Sequence, residues 1–317
     1  MKFPPLDFSR VQTYPLARRK SKVATSILGK PWQVGGTFRD FLHLLPGTLA
    51  AADFREVVTR LVTAVRAQRP VILGMGAHPL KVGLSPLIID LLERGIVSAV
   101  AMNGAGVIHD FELASHGETS EDVATALADG SFGMARETGE FLNSAIRDGV
   151  IEQGRGIGQA VGERIAAAGF PHVSLSVLAA CVRLQVPACV HVAIGTDIIH
   201  MHPQVNGAAL GEGSLRDFRL LTAVVAQLEG GVFLNLGSAV IIPEVFLKAL
   251  SLARNLGYTV KTMTTVDLDF VRHYRPAMNV VTRPTQTGGR GFHLTGHHEL
   301  LFPLLCAAVI EELSLQA

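Results

Sequence analysis

Between residues 70 and 265, short apolar runs alternate with stretches whose apolar positions recur every three or four residues. The runs are "PVILG" (70–74), "VSAVAM" (97–102), "PACVHVAIG" (187–195), "VFLNLG" (232–237) and "TVKTMTT" (259–265), each the length of a buried strand. Helical spacing fills the intervals: "LSPLIIDLLERG" (84–95), "SEDVATALADG" (120–130), "GMARETGEFLNSAIRDG" (133–149), "IGQAVGERIAAAG" (157–169), "VSLSVLAACVRLQ" (173–185), "SLRDFRLLTAVVAQLEGG" (214–231) and "PEVFLKALSLARNLG" (243–257). Boundary signals agree, with glycines at 95 and 130, Pro243 at a helix start and Ser214 as an expected N-cap. A helix is also expected over 49–68. Residues 1–35 read as an N-terminal arm and 36–317 as one domain. A polar, glycine-rich stretch up to Thr295 precedes a last helix, "ELLFPLLCAAVIEEL" (299–313), interrupted or started near Pro303.

Such alternation predicts an α/β fold with a Rossmann-like, mostly parallel sheet covered by helices on both faces. Sheets of this kind bind ligands at the C-terminal ends of their strands. Four expected strands end in small or hydroxyl residues: Gly74 and Gly76; Asn103, Gly104 and Gly106; Gly237 and Ser238; Thr264 and Thr265. Small residues let backbone amides approach a phosphate or ribose, so these turns are expected to bind a dinucleotide. Neither a GxGxxG fingerprint with its following acid nor a P-loop is present.

Composition narrows the class. Of 317 residues, 48% are apolar and 17% charged, which points to much buried surface, some of it between subunits. A net charge of +1 gives no basic face for nucleic acid. The basic cluster Arg18, Arg19, Lys20 and Lys22 falls in the arm and reads as solvated. Cys181, Cys189 and Cys306 sit among apolar residues without metal-ligand spacing, as in a reducing compartment. With no signal-peptide pattern and no apolar run long enough to span a bilayer, the expectation is a cytoplasmic protein without membrane contact.

One segment combines several of these features. "VILGMGAHPLKVGLSPLIIDLLERGIVSAVAMNGAGVIHDFE" resembles the first half of deoxyhypusine synthases, and "FGMARETGEFLNSAIRDG" the segment that follows there. "VPACVHVAIGTDI", "FLNLGSAVIIPEVFLKALSLARNLGYTV" and "ELLFPLLCAAVIEE" resemble that family's later units in the same order, over about residues 50–315. The resemblance implies an NAD site, a small-molecule substrate and a homotetramer. It does not carry the activity. The family's imine-forming lysine lies in a "W-G-K" stretch; here "VTRPTQTGGRGFHLTG" stands in that place and no lysine follows Lys261. Arg283 and Arg290 cannot substitute, because a guanidinium stays protonated. The only tryptophan is Trp32, in the arm, and the family's substrate histidine falls at Pro243, beside Glu244.

Candidate chemistry follows. "GTDIIHMHP" (195–203) succeeds an expected strand, and Asp197 matches the region of the family's substrate or cofactor acid. His200 and His202 are either backbone-bonded histidines or, with Asp197, a metal set with open positions. Glu244 is a first-turn acid offsetting the helix dipole or a holder of a cationic substrate. His109 sits where the family has an acid near the nicotinamide and would carry a proton, whereas Asp110 is expected to cap the following helix. His297 is a further catalytic candidate. His298 is placed in the cofactor contact that the family has there, with a helix cap as the alternative. Lys81 is either a phosphate contact or a solvated lysine. The long loop 283–299, with Arg283 and Arg290, suits an anionic or zwitterionic substrate. One pocket is expected from His109, Asp197, His200, Glu244 and His297, in an NAD-dependent enzyme acting on a small amine or alcohol. A metal-dependent hydrolase and a non-catalytic nucleotide sensor are the alternatives.

Overall fold

The computed structural model describes residues 3–314 and divides into two compact units, Met1–Ala52 and Asp53–Ala317. In the first, residues 3–34 form three short 3-10 turns with no buried side chain. Helix Phe38–Leu44 follows, where Thr37 and Asp40 form a capping box.

The second unit is built on six parallel strands: β1 (Val71–Met75), β2 (Ala99–Asn103), β3 (Ala188–His191), β4 (Val232–Leu236), β5 (Thr264–Asp269) and β6 (Arg290–Thr295). Their spatial order is β3-β2-β1-β4-β5-β6. The chain steps outward from β1 to β3, then returns to lay β4 against the other side of β1. That reversal is a topological switch point, where the connections leave in opposite directions and open a crevice at the strand ends. Every residue of β1, β4 and β5 is buried, so both faces of the sheet are covered. β6, at the edge, alternates between buried and open positions. On one face, helices Gly207–Val225 and Ile241–Asn255 close a core around Ile72, Ala101, Phe233 and Phe246, whose two phenyl rings stack 3.8 Å apart. Among the described residues no helix is long and apolar enough to cross a membrane.

Several local expectations shift. Asn103 ends β2 and caps helix Gly104–His116 by accepting from the Gly106 N–H, so Ile108, His109 and Asp110 lie within that helix. Asp110 caps no adjacent helix. It is fully buried and accepts from Ser176 Oγ, Val177 N and Leu178 N at 2.5, 2.6 and 3.2 Å, at the start of helix Val177–Arg183. Ser214 is interior to helix Gly207–Val225, which Asn206 caps. The strand expected at 259–265 begins only at Thr264, and the stretch read as a polar loop contains the rest of β5, a helical segment (274–282) and β6.

Candidate functional site

At the switch point the ends of β1 and β4 approach until only glycine fits. Gly76 N donates to Leu236 O, and a Cβ on Gly76 would sit 2.4 Å from the Gly237 carbonyl oxygen. Gly237 itself has φ +64°, the left-handed region that glycine tolerates, with the His298 ring packed where its Cβ would be. Ser238 accepts from Ile242 N and so holds the start of helix Ile241–Asn255. His298, the first residue of helix His298–Leu313, is buried, with Nε2 3.2 Å from Leu268 O and 3.7 Å from Asp269 Oδ1; its Nδ1 has no hydrogen-bond partner. His78 stands edge-on to it at 5.2 Å, and Phe270 flanks both rings. Neither His78 nor Asp269 is visible as a candidate in the sequence. His78 reads as part of a helix entry, and Asp269 lies beyond the expected end of its strand.

A second set gathers over β2 and β3. Asp197 lies against the first turn of helix Gly104–His116, where a Cβ on Gly104 would meet its Oδ2 at 2.1 Å. Burial pushes the Asp197 carboxyl up to about 6, and the Ala105 N–H draws it back down. His200 Nδ1 accepts from Gly195 N at 3.1 Å, so the ring's proton resides on Nε2. That Nε2 and Asp197 Oδ2 are both buried without partners and face each other at 3.9 Å, too long for a hydrogen bond. A donor and an acceptor left open side by side match a hydroxyl, which both accepts and donates. They do not match a phosphate, which only accepts and would meet the carboxylate's charge. Asp197 thus takes the helix N-terminus that a phosphate would use.

The remaining expected residues scatter. His109 lies 2.6 Å from Thr119 Oγ1, which donates to Glu112; burial first, then Lys81, lower its pKa to about 4. Glu244 is engaged by Lys248, Asn279 and Arg275, the first and largest of which holds its carboxyl below the usual range. His297 is exposed and stacks on Phe270 at 6.0 Å. Of the five residues expected in one pocket, only Asp197 and His200 stand side by side in the contacts of the structure. His202 points away from them, with Nε2 2.8 Å from Gly133 O and its ring against Gly139. The metal set Asp197, His200 and His202 is therefore not assembled, and among the described residues no group of three or more His, Cys, Asp or Glu is placed to hold a metal ion.

Four of the expected cofactor contacts also move. Thr264 and Thr265 begin β5 and lie at the opposite edge of the sheet from the switch point, because the strand starts five residues later than its apolar pattern suggests. Gly74 is interior to β1, where a Cβ would meet Ile242 and Phe233, so it is a packing glycine under helix Ile241–Asn255. Gly106 packs over Met102.

A polar group that the sequence does not announce crosses β4, β5 and β6. Asn235, Asp267 and His293 are register partners on adjacent strands. Asn235 Nδ2 donates to Asp267 Oδ1 at 2.8 Å and to Ser238 O at 2.9 Å, and His293 Nδ1 lies 3.2 Å from Asp267 Oδ2. Interiors of parallel sheets are normally apolar, and the unpartnered Asn235 Oδ1 alone costs about 1–3 kcal/mol.

No protein-family model matches the chain, and no curated protein is similar to it in sequence. Solved structures do share its fold. A putative deoxyhypusine synthase from Entamoeba histolytica superposes with a TM-score of 0.55 at 12% identity, over 90% of this chain and 97% of that one. A conserved putative LOR/SDH protein from Methanococcus maripaludis S2 gives 0.54 at 15%, over 94% and 76%. AgrE, in a ternary complex with ornithine and NAD+, gives 0.51 at 16%, over 84% of this chain. The chain spans about a third of the length of AgrE, as it does of ArgZ, a cyanobacterial arginine dihydrolase. At these identities the likeness establishes the fold alone, a parallel α/β architecture of the deoxyhypusine synthase-like kind.

Proposed function

We propose that the protein is an NAD-dependent enzyme that oxidises a small amine or alcohol at the β1/β4 edge, acting as a homotetramer. The observation that carries this reading is the glycine-only approach of Gly76 to Gly237, bordered on one side by His78, His298 and Asp269 and on the other by the buried, unpartnered pair Asp197 and His200. Gly76, Gly237 and Gly104 would let backbone face the dinucleotide, and Asp197 with His200 would take a ribose hydroxyl. The cofactor, when bound, supplies a hydride acceptor. The chain's own residues bind it, orient the substrate carbon beside it and receive the substrate's proton. AgrE, solved with ornithine and NAD+, makes amino acids of that size the first probes.

The reading excludes deoxyhypusine synthesis, because no lysine follows Lys261 to form an imine. Incubation with spermidine, NAD+ and the translation-factor substrate should give no modified lysine, and borohydride should trap no adduct. The direct test is thermal unfolding with NAD+ and NADH. Ligand at a hundredfold its dissociation constant adds about 2.7 kcal/mol. Melts unmoved by either form at millimolar concentration would sink the proposal. A screen for NADH formation from L-ornithine, small amines and alcohols then finds the substrate.

A further inference from the structure

We infer that His293, held by Asp267, is the proton acceptor of this oxidation, an inference that rests on the proposed NAD-dependent reading. The histidines of the sheet's C-terminal half can be separated by which nitrogen is left to accept. His200 already accepts from backbone N–H at Nδ1, which leaves its proton on Nε2. His298 has Nε2 against the Leu268 carbonyl and Nδ1 sealed from solvent. His297 is exposed, stacked on Phe270, and its nearest carboxylate, the exposed Glu299, stands 3.9 Å away, beyond hydrogen-bond reach. His109 shares the free Nε2, since its Nδ1 donates to the Thr119 hydroxyl that in turn donates to Glu112, but no carboxylate touches the ring at hydrogen-bond distance and burial makes it a weak base.

His293 differs. A carboxylate only accepts, so the contact between Nδ1 and Asp267 fixes the proton on Nδ1 and leaves the Nε2 lone pair free. Asp267 is almost wholly enclosed, at 2% exposure, while the His293 side chain is 18% open. The second oxygen of Asp267 is held by Asn235, whose amide also grips the Ser238 carbonyl in the turn after β4. The base is thereby tied through one lateral row of side chains to the turn that forms the switch point. Buried carboxylate, oriented imidazole and free Nε2 form an arrangement suited to general-base work.

A bound nicotinamide would supply the acceptor for the substrate's hydride, and the substrate's N–H or O–H proton would pass to His293 Nε2. The C=N or C=O bond forms as the C–H and N–H or O–H bonds break, and the imidazolium later releases its proton to solvent. Asp267 touches no substrate and is a positioning residue.

Diethyl pyrocarbonate, which acylates an unprotonated and accessible imidazole nitrogen, tests the geometry without turnover. Mass spectrometry of the full-length wild-type protein should find His293 modified early, and saturating NAD+ should slow that modification at least about fivefold. Kinetics use whichever amine or alcohol gives NADH in the screen. His293→Gln should lower kcat by about 10²–10⁴-fold. Asp267→Asn should lower kcat with KM unchanged, and both variants should keep the NAD+-dependent thermal shift, which also reports that they fold. Unaltered kcat in His293→Gln with NAD+ still bound would overturn the assignment of the base and leave the cofactor reading standing. An unreactive His293 would do the same. Failure of NAD+ to bind, or binding with no NADH from any amine or alcohol, would overturn both.

Discussion

Asp217 sits inside helix Gly207–Val225 with one oxygen accepting from Gly158 N at 2.9 Å and Val190 N at 2.8 Å, so a single carboxylate ties a helix start to an edge strand. Burial pushes its pKa up to about 7, against hydrogen bonds that pull it down. The folded state holds this proton between roughly pH 4 and 7 and the unfolded state does not, so the group's contribution to stability falls as pH rises through that window. Asp217→Asn removes the titration and keeps an acceptor. Relative to the variant, the wild type should lose about 1–3 kcal/mol between pH 5 and 8, read from urea midpoints at each pH. A difference that does not vary with pH would show that Asp217 is ionised throughout. Opposing titrations at His109 and His191, both lowered to about 4 by burial, cancel in this comparison because both proteins carry them. At this scale the sequence is least legible. Asp110 and Asp217 cap helices 59 or more residues away in the chain, and no local pattern marks a partner so distant.

Strands β1 to β4 are apolar throughout or nearly so, and each lies within or against the run that announces it. β5 and β6 are hidden for a physical reason. β5 reads T-T-V-D-L-D and β6 R-G-F-H-L-T, so polar side chains that serve a network interrupt the apolar run that would mark a buried strand. The same substitution of polar for apolar residues put Thr264 and Thr265 at the wrong edge and concealed Asp267, Asp269 and His293. Glycines at element ends separate the two roles experimentally. Gly76→Ala places a methyl against the Gly237 carbonyl at 2.4 Å, where neither backbone can yield without parting β1 from β4. It should destabilise by about 1–3 kcal/mol and reduce the NAD+-dependent thermal shift by more than that loss explains. Gly207→Ala, in the first turn of helix Gly207–Val225 with nothing within 4 Å of the added methyl, should be neutral or stabilising by up to about 1 kcal/mol, with the shift unchanged. Equal effects at the two positions would remove the special status of the β1/β4 approach.

For the molecule as a whole, the first 34 residues pose the question of what their side chains serve. Ten large apolar side chains between Phe3 and Val34 are exposed, Trp32 among them, and no residue from 3 to 34 is buried. Residues 1–34 also hold seven of the 28 basic side chains and one of the 27 acidic ones, which leaves the remainder of the chain acidic. A stretch with this composition contributes almost nothing to the stability of the second unit, since burial is what converts apolar area into free energy. Removing residues 1–34 should therefore change the urea-derived stability by no more than about 0.5 kcal/mol. Its effect should appear instead in assembly, where ten apolar groups and a net positive charge find their counterpart on acidic neighbouring copies. Light scattering should give a tetramer for the full chain and a smaller species for the shortened one at the same micromolar concentration. A shortened chain that still forms tetramers would place the subunit contacts on the second unit alone, and a full chain that is monomeric would remove assembly from the proposed function.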